Sequence, residues 1–305
     1  MGRYCEPLQA RLRSGAVLAG WLVLTAAASS AQPPRPAVAQ QLLVEAFDKQ
    51  DQPVTDLRKD ELLIEEDGRA VVIQDLTPAA DTPLVMAIAA DVSGSTVRFW
   101  GPAKPLLLDF IHTQLRNPQS SIMFSFFANR PSSTPLTRGP KVLEEALDDM
   151  KIGGDTALFD AVVEASSRLP ELMNGVPTRR VIVLLSDGDD NQSRSTLQTA
   201  IGAAQQHGVA VLAMREAGYY KPAGSRGERN LRGLAENTGG EVLPARDPKE
   251  LAAGFSRLTD ELASQYVVTY SSVTTRPGKL AIKSTGRQLK FRASRFGATL
   301  AATHK

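Results

Sequence analysis

The chain of 305 residues has a single cysteine, three histidines and only 6% aromatic side chains. Cys5 lies ahead of an apolar run, so it is no lipoprotein acylation site, and a chain cleaved after that run holds no thiol at all. Core packing, not disulfides, must then hold the protein together, and 42% hydrophobic residues can supply it. Charge of one sign is also missing. Of the 35 basic and 33 acidic residues, Arg3, Arg11 and Arg13 fall in the first 31 with only Glu6 against them, leaving the rest near neutral. Bulk charge gives no reason to expect a nucleic-acid partner.

No long membrane-spanning run is present: the apolar stretch Gly15–Ala28 has 14 residues, against roughly 20 needed to cross a bilayer as a helix. With basic residues before it and Ser29-Ser30-Ala31 after it, residues 1–31 read as a secretory signal peptide. An uncleaved membrane anchor is the alternative. Export places the protein in the periplasm, the cell envelope or outside the cell.

Residues 32–38 form a Pro-rich linker. In the β segment expected over 39–80, strands are read at Leu42–Phe47, Glu61–Glu65 and Ala70–Leu76, with Asp67-Gly68 as a hairpin turn whose central positions need positive φ. From 81 to 265 the pattern changes. Runs apolar at every position, Leu84–Ala90, Ile122–Phe127, Val181–Leu185 and Val209–Met214, alternate with helical stretches. The helices are placed at about Pro102–Arg116, Lys141–Met150, Ala157–Leu169, Ser195–His207, Asn230–Asn237 and Pro248–Ser264. Strands buried on both faces and alternating with helices predict an α/β fold, a doubly wound, mostly parallel sheet covered on both sides.

A C-terminal β segment over 266–297 returns to alternation, followed by a tail at 298–305. Glu45–Arg69 carries nine acids against four bases, whereas everything after Glu261 has eight Lys or Arg and no acid. The two flanking segments are therefore expected to pair into one small β module, or else each simply has a solvated face.

Three loops carry the chemistry. The first buried strand ends in Asp91-Val92-Ser93-Gly94-Ser95-Thr96, Gly153-Gly154-Asp155-Thr156 leads into a helix, and a later buried strand ends in Leu185-Ser186-Asp187-Gly188. In an open parallel sheet all three can meet at the C-terminal edge, where ligands bind. They offer only oxygen donors, which suits a hard cation such as magnesium or calcium over zinc or copper. Asp155, Asp189 and Asp190 lie alongside, either as further ligands or as helix caps and loop solvators.

In this order and spacing the loops resemble the metal-ion-dependent adhesion site of von Willebrand factor A domains, over roughly Leu84 to Gln265. The resemblance implies that Ser93, Ser95 and Thr156 bind the metal through hydroxyls while Asp91 and Asp187 sit close, partly through water. It implies Mg2+, or Mn2+ or Ca2+, as cofactor, and a partner protein that presents a Glu or Asp carboxylate to the open coordination position. Thr55-Asp56-Leu57, Asp67-Gly68 and Leu234-Ala235-Glu236-Asn237-Thr238-Gly239-Gly240 further resemble the related proteins described from acidobacteria. Thr96 departs from the Met that often follows the second serine.

The expected function is thus non-enzymatic, metal-dependent protein binding, in adhesion or assembly, with no obligate oligomer implied. A magnesium-dependent phosphatase would need a second acid two residues after Asp91, where Ser93 stands. A serine hydrolase lacks a base, since His112 lies mid-helix, His207 at a helix end and His304 in the tail. A dinucleotide site would need a G-x-G-x-x-G loop after the first strand. A scaffold with a degenerate metal site, its basic C-terminal region associating with the cell envelope, is the remaining alternative.

Overall fold

The computed structural model describes residues 38–170, 172–173, 176–216, 224–272 and 278–300; the expected signal peptide lies outside them. In chain order the strands are β1 (Val38–Phe47), β2 (Leu62–Glu66), β3 (Arg69–Ala70), β4 (Val72–Pro78), β5 (Leu84–Asp91), β6 (Ser120–Phe127), β7 (Pro131–Ser133), β8 (Leu172–Met173), β9 (Val176–Pro177), β10 (Arg179–Ser186), β11 (Val209–Arg215), β12 (Val242–Pro244), β13 (Tyr266–Ser272), β14 (Leu280–Ser284) and β15 (Lys290–Leu300). The helices are α1 (Trp100–Leu115), α2 (Pro140–Asp149), α3 (Leu158–Arg168), α4 (Leu197–Gln206), α5 (Arg226–Thr238) and α6 (Pro248–Ser264).

The continuous apolar runs become the centre of a six-stranded sheet of order β12-β11-β10-β5-β6-β7, parallel except for the antiparallel edge strand β7. β5 and β10 are buried at every position. Alternate side chains of β5 serve two cores. Leu84, Met86, Ile88 and Ala90 pack with α1, α2 and α6, while Val85, Ala87 and Ala89 pack with α3, α4 and α5. Each fully buried Leu, Ile or Val stabilises by about 1.5–3 kcal/mol, so these runs carry most of the domain's cohesion. From β5 the chain steps outward to β6, then returns past β5 to place β10, β11 and β12 on its other side. Strand order therefore reverses between β5 and β10, which opens a crevice beyond their carboxyl ends.

The flanking segments do pair. β1 lies between β13 and β15, and β4 adds to β13, in a four-stranded antiparallel sheet. β14, β2 and β3 form a second sheet, and Leu42, Val44, Leu62, Ile64, Tyr266 and Val268 fill the core common to both. Asp67 (φ 50°) and Gly68 (φ 77°) take the left-handed conformation that the β2–β3 turn requires. The stretch expected as one strand at Ala70–Leu76 is two strands in different sheets. The chain changes sheet at Val71, which is buried beside a Val72 that is 70% exposed. α5 also starts earlier than its apolar periodicity suggests: Ser225 caps it, its hydroxyl accepting from Glu228 N.

Between this sandwich and α6 lies a buried charged network. Arg292 of β15 pairs with Glu45 of β1, with Glu261 of α6 at 2.8 Å and with Glu241 at 3.2 Å. Arg257 completes it on Glu241 at 2.7 Å. Gln265 donates to Glu45 Oε1 at 2.7 Å and accepts from the buried Arg179 at 2.9 Å. Burial pushes the Glu261 carboxyl up to about 10, with Glu45 adding to the rise and Arg292 opposing it.

Candidate metal centre

β5 delivers Asp91 and its parallel neighbour β10 delivers Asp187, one on each side of the strand-order reversal. The carboxylate of Asp91 is fully buried. Its Oδ1 accepts from Ser93 N at 2.9 Å and its Oδ2 from the Ser186 hydroxyl at 2.6 Å. The strand tip is fixed from behind, because the Asp91 carbonyl accepts from Trp100 Nε1 at 2.8 Å and from the Thr96 hydroxyl at 3.0 Å. The Thr96 hydroxyl thus ties the loop to the strand. Burial pushes the Asp91 carboxyl up to about 6 against the hydrogen bonds from Ser186 and Ser93, and the nearby Asp187 charge adds to the rise.

Ser93 Oγ and Ser95 Oγ lie 3.2 Å apart, and Ser95 Oγ donates to Asp187 Oδ2 at 3.0 Å. Ser93 and Asp187 are buried, whereas Ser95 is exposed, so the cluster opens to solvent on the Ser95 side. The Gly153–Thr156 loop is laced to the first loop by Gly153 N on Val92 O at 2.7 Å and Gly94 N on Gly154 O at 3.1 Å. This brings the buried Thr156 to the same edge; no direct hydrogen bond joins its side chain to the other four. Its backbone is held from the third loop, Thr156 N donating to Asn191 Oδ1 at 2.7 Å.

The adjacent acids have other work. Asp190 accepts from Phe159 N at 3.0 Å in the first turn of α3 and from the Ser193 hydroxyl at 2.5 Å. Asp189 N donates to Asp187 Oδ1 at 2.9 Å, and its carboxylate lies against Gly227 in the first turn of α5, where the helix dipole favours negative charge. Asp155 is exposed, its N–H bound to Asn129 Oδ1. Close packing explains two glycines: a Cβ on Gly188 (φ 84°) would lie 2.2 Å from Gly227 O, and one on Gly227 2.3 Å from Asp187 O. Asn230 seals this contact by donating to Gly188 O at 2.9 Å.

Sequence reasoning gave Ser186, Asn129 and Asn191 no part. Ser186 had a visible signal, a hydroxyl directly after the apolar run Val181–Leu185; the two asparagines, in ordinary turn sequences, had none.

Among the described residues no three His, Cys, Asp or Glu side chains gather closely enough to hold a metal. Any cation here must take hydroxyls beside the two carboxylates. The donor set fits a hard divalent ion, because all of it is oxygen. The Asp187 charge raises the buried Asp91 carboxyl, and a cation placed between the two carboxylates would relieve that repulsion. Asp91, with both oxygens already satisfied, suits contact through water.

A doubly wound sheet with this oxygen-rich crevice at its reversal point defines the von Willebrand factor A class of α/β domain. The model of the family described as "VWA domain containing CoxE-like protein" matches residues 66–234, more than half of the chain, and the chain belongs to that family. Solved structures share the fold. Proximal thread matrix protein 1 from the mussel byssus, described with a zinc-occupied MIDAS motif, is 16% identical with a TM-score of 0.50, over 63% of this chain and 48% of that one. The pilus adhesin SpaC from Lactobacillus rhamnosus GG, in an open conformation, is 11% identical with a TM-score of 0.50, over 82% and 44%. A von Willebrand factor type A protein from Catenulispora acidiphila is 15% identical with a TM-score of 0.48, over 86% and 73%. No curated protein matches the chain. No helix among the described residues is long and apolar enough to cross a membrane.

Proposed function

We propose that this protein is an exported, non-enzymatic binding module that engages an acidic group of a partner protein through a divalent cation held by Asp91, Ser93, Ser95, Thr156 and Asp187. The observation that carries the reading is the hydrogen-bonded chain Ser93–Ser95–Asp187, with Asp91 held beside it by Ser93 N and Ser186, at a solvent-open sheet edge. Magnesium is the expected ion, with manganese or calcium as substitutes, and bound there it would offer an open position to a Glu or Asp carboxylate.

The chain's own residues set the character of the site. Ser93, Ser95 and Thr156 are neutral donors, so they leave a cation electrophilic, while Asp91 and Asp187 supply the two charges that retain it. The hydroxyls of Ser93 and Ser95 meet each other and the Asp187 carboxylate, with no histidine among the described residues of the cluster to serve as their general base, which favours binding over hydrolysis. The zinc-bearing mussel protein and the pilus adhesin support the reading by the fold they share with this chain. Export rests on residues 1–31, and sequencing the amino terminus of protein recovered from an envelope fraction tests it.

Titration calorimetry of the mature protein with Mg2+ and Mn2+ tests the centre. One site should be seen in the parent and lost in a Ser93→Ala, Ser95→Ala double variant. Asp187→Ala should likewise abolish binding while leaving the circular dichroism spectrum unchanged. Normal metal affinity in a folded Asp187→Ala protein would count against the assignment.

A further inference from the structure

Next to the metal centre, between the end of β6 and the end of α2, runs a groove of about 290 Å3 with Val92, Phe126, Ala128 and Met150 in its lining. Small-molecule sites usually enclose about 300–1,000 Å3, so this groove suits one apolar side chain. Its walls are continuous with the centre. Val92 stands between Asp91 and Ser93, its carbonyl accepts from Gly153 N at 2.7 Å, and Ala128 O accepts from Ala157 N, beside Thr156, at 2.7 Å.

The rim is basic. Arg130 and Lys151 line it and Arg98 stands three residues beyond Ser95; all three are exposed, and none makes an ion pair among the described residues. Elsewhere exposed arginines such as Arg232, Arg246 and Arg257 have carboxylate partners. Asp149 is the carboxylate in the groove lining, leaving it one positive charge in excess. Two of the five large apolar side chains that stand exposed among the described residues, Val97 at 58% and Ile152 at 37%, also belong to the loops of this edge.

We propose that the partner presents an acidic, apolar-bearing segment: one carboxylate goes to the metal centre, a neighbouring leucine-like side chain seats in the β6–α2 groove, and flanking carboxylates meet Arg98, Arg130 and Lys151. This rests on the metal-dependent reading above and adds to it the chemistry of the bound segment. Charge complementarity brings the segment in and fixes its register, and the apolar side chain distinguishes it from any other acidic stretch.

The test is calorimetry of the mature, magnesium-saturated protein with two synthetic peptides, one with the core Glu-Leu-Asp-Glu and one with Glu-Ser-Asp-Glu. The leucine peptide should bind about tenfold or more tightly than the serine peptide, as expected for burying one such side chain. An Arg130→Glu, Lys151→Glu variant should lose about tenfold for the leucine peptide while binding magnesium as the parent does. Equal affinities for the two peptides, no effect of the charge reversal, or no binding of either peptide by a parent that binds magnesium overturns this proposal alone. A parent that binds no magnesium overturns the reading of the centre and this proposal with it.

Discussion

Two regions of the molecule bury carboxylates, and they compensate them differently. At the candidate metal edge, Asp91 is met by neutral dipoles, a backbone N–H and the Ser186 hydroxyl. At the junction of the sandwich with α6, Glu45 and Glu261 are met by the full charge of Arg292. The junction is neutralised from within, by Arg292 and by the proton that burial keeps on Glu261. The candidate edge sets Asp91 close to a second carboxylate, Asp187, and faces water through Ser95, the arrangement the proposed cation would use. Burial of an acid does not by itself mark a functional site; the kind of partner the acid has been given does.

The largest effect should come from breaking the junction. Arg292→Ala leaves Glu45 and Glu261 buried without their shared cation, which costs about 3–5 kcal/mol and is read from urea denaturation midpoints. Next comes Ser186→Ala at the opposite edge, where Asp91 Oδ2 loses its donor; a cost of about 1–3 kcal/mol is expected. A Ser186→Ala cost as large as that of Arg292→Ala would erase the distinction drawn between the regions.

A third prediction concerns pH. The folded state holds a proton on Glu261 up to about 10, while the unfolded chain releases it near the ordinary value of 4.5. The raised group therefore favours folding fully below that ordinary value, and its contribution is lost as pH climbs toward the folded value. Stability should fall by at most about 1.4 kcal/mol per pH unit across this window, and Glu261→Gln should flatten the slope. An unchanged slope in that variant would place the effect elsewhere. Smallest is Ser225→Ala, which removes the cap of the helix lying against Asp187 and should cost about 1 kcal/mol, measurable by thermal melting.

The same contrast explains what could be read from the sequence. The parallel sheet was legible because the runs Leu84–Ala90 of β5 and Val181–Leu185 of β10 are apolar at every position and need no partner to be recognised. The five candidate site residues could be picked out because they sit at a strand end and in short loops whose residue types are restricted by turn and ligand chemistry alike. The junction was not legible: Glu45 and Arg292 are 247 positions apart, and in sequence each looks like an ordinary surface charge on a strand. The split at Val71 escaped because period-two alternation reports which face is buried, not which sheet a strand joins. The early start of α5 was recoverable from Ser225 and Glu228, a capping pattern three residues apart that outweighs the polar character of the first turn.

The pairing of β1 with β15 sets how the sandwich would respond to tension. β1 and β15 run antiparallel with Ala39 paired to Leu300, so the outer ends of both strands leave the sheet side by side. A force drawing those ends apart would peel the two strands one hydrogen bond at a time instead of shearing the whole ladder together. The sandwich would then yield at low tension, and the α/β sheet, outside that line of force, would keep its Asp91, Ser95 and Asp187 loops in place while β1 and β15 separate.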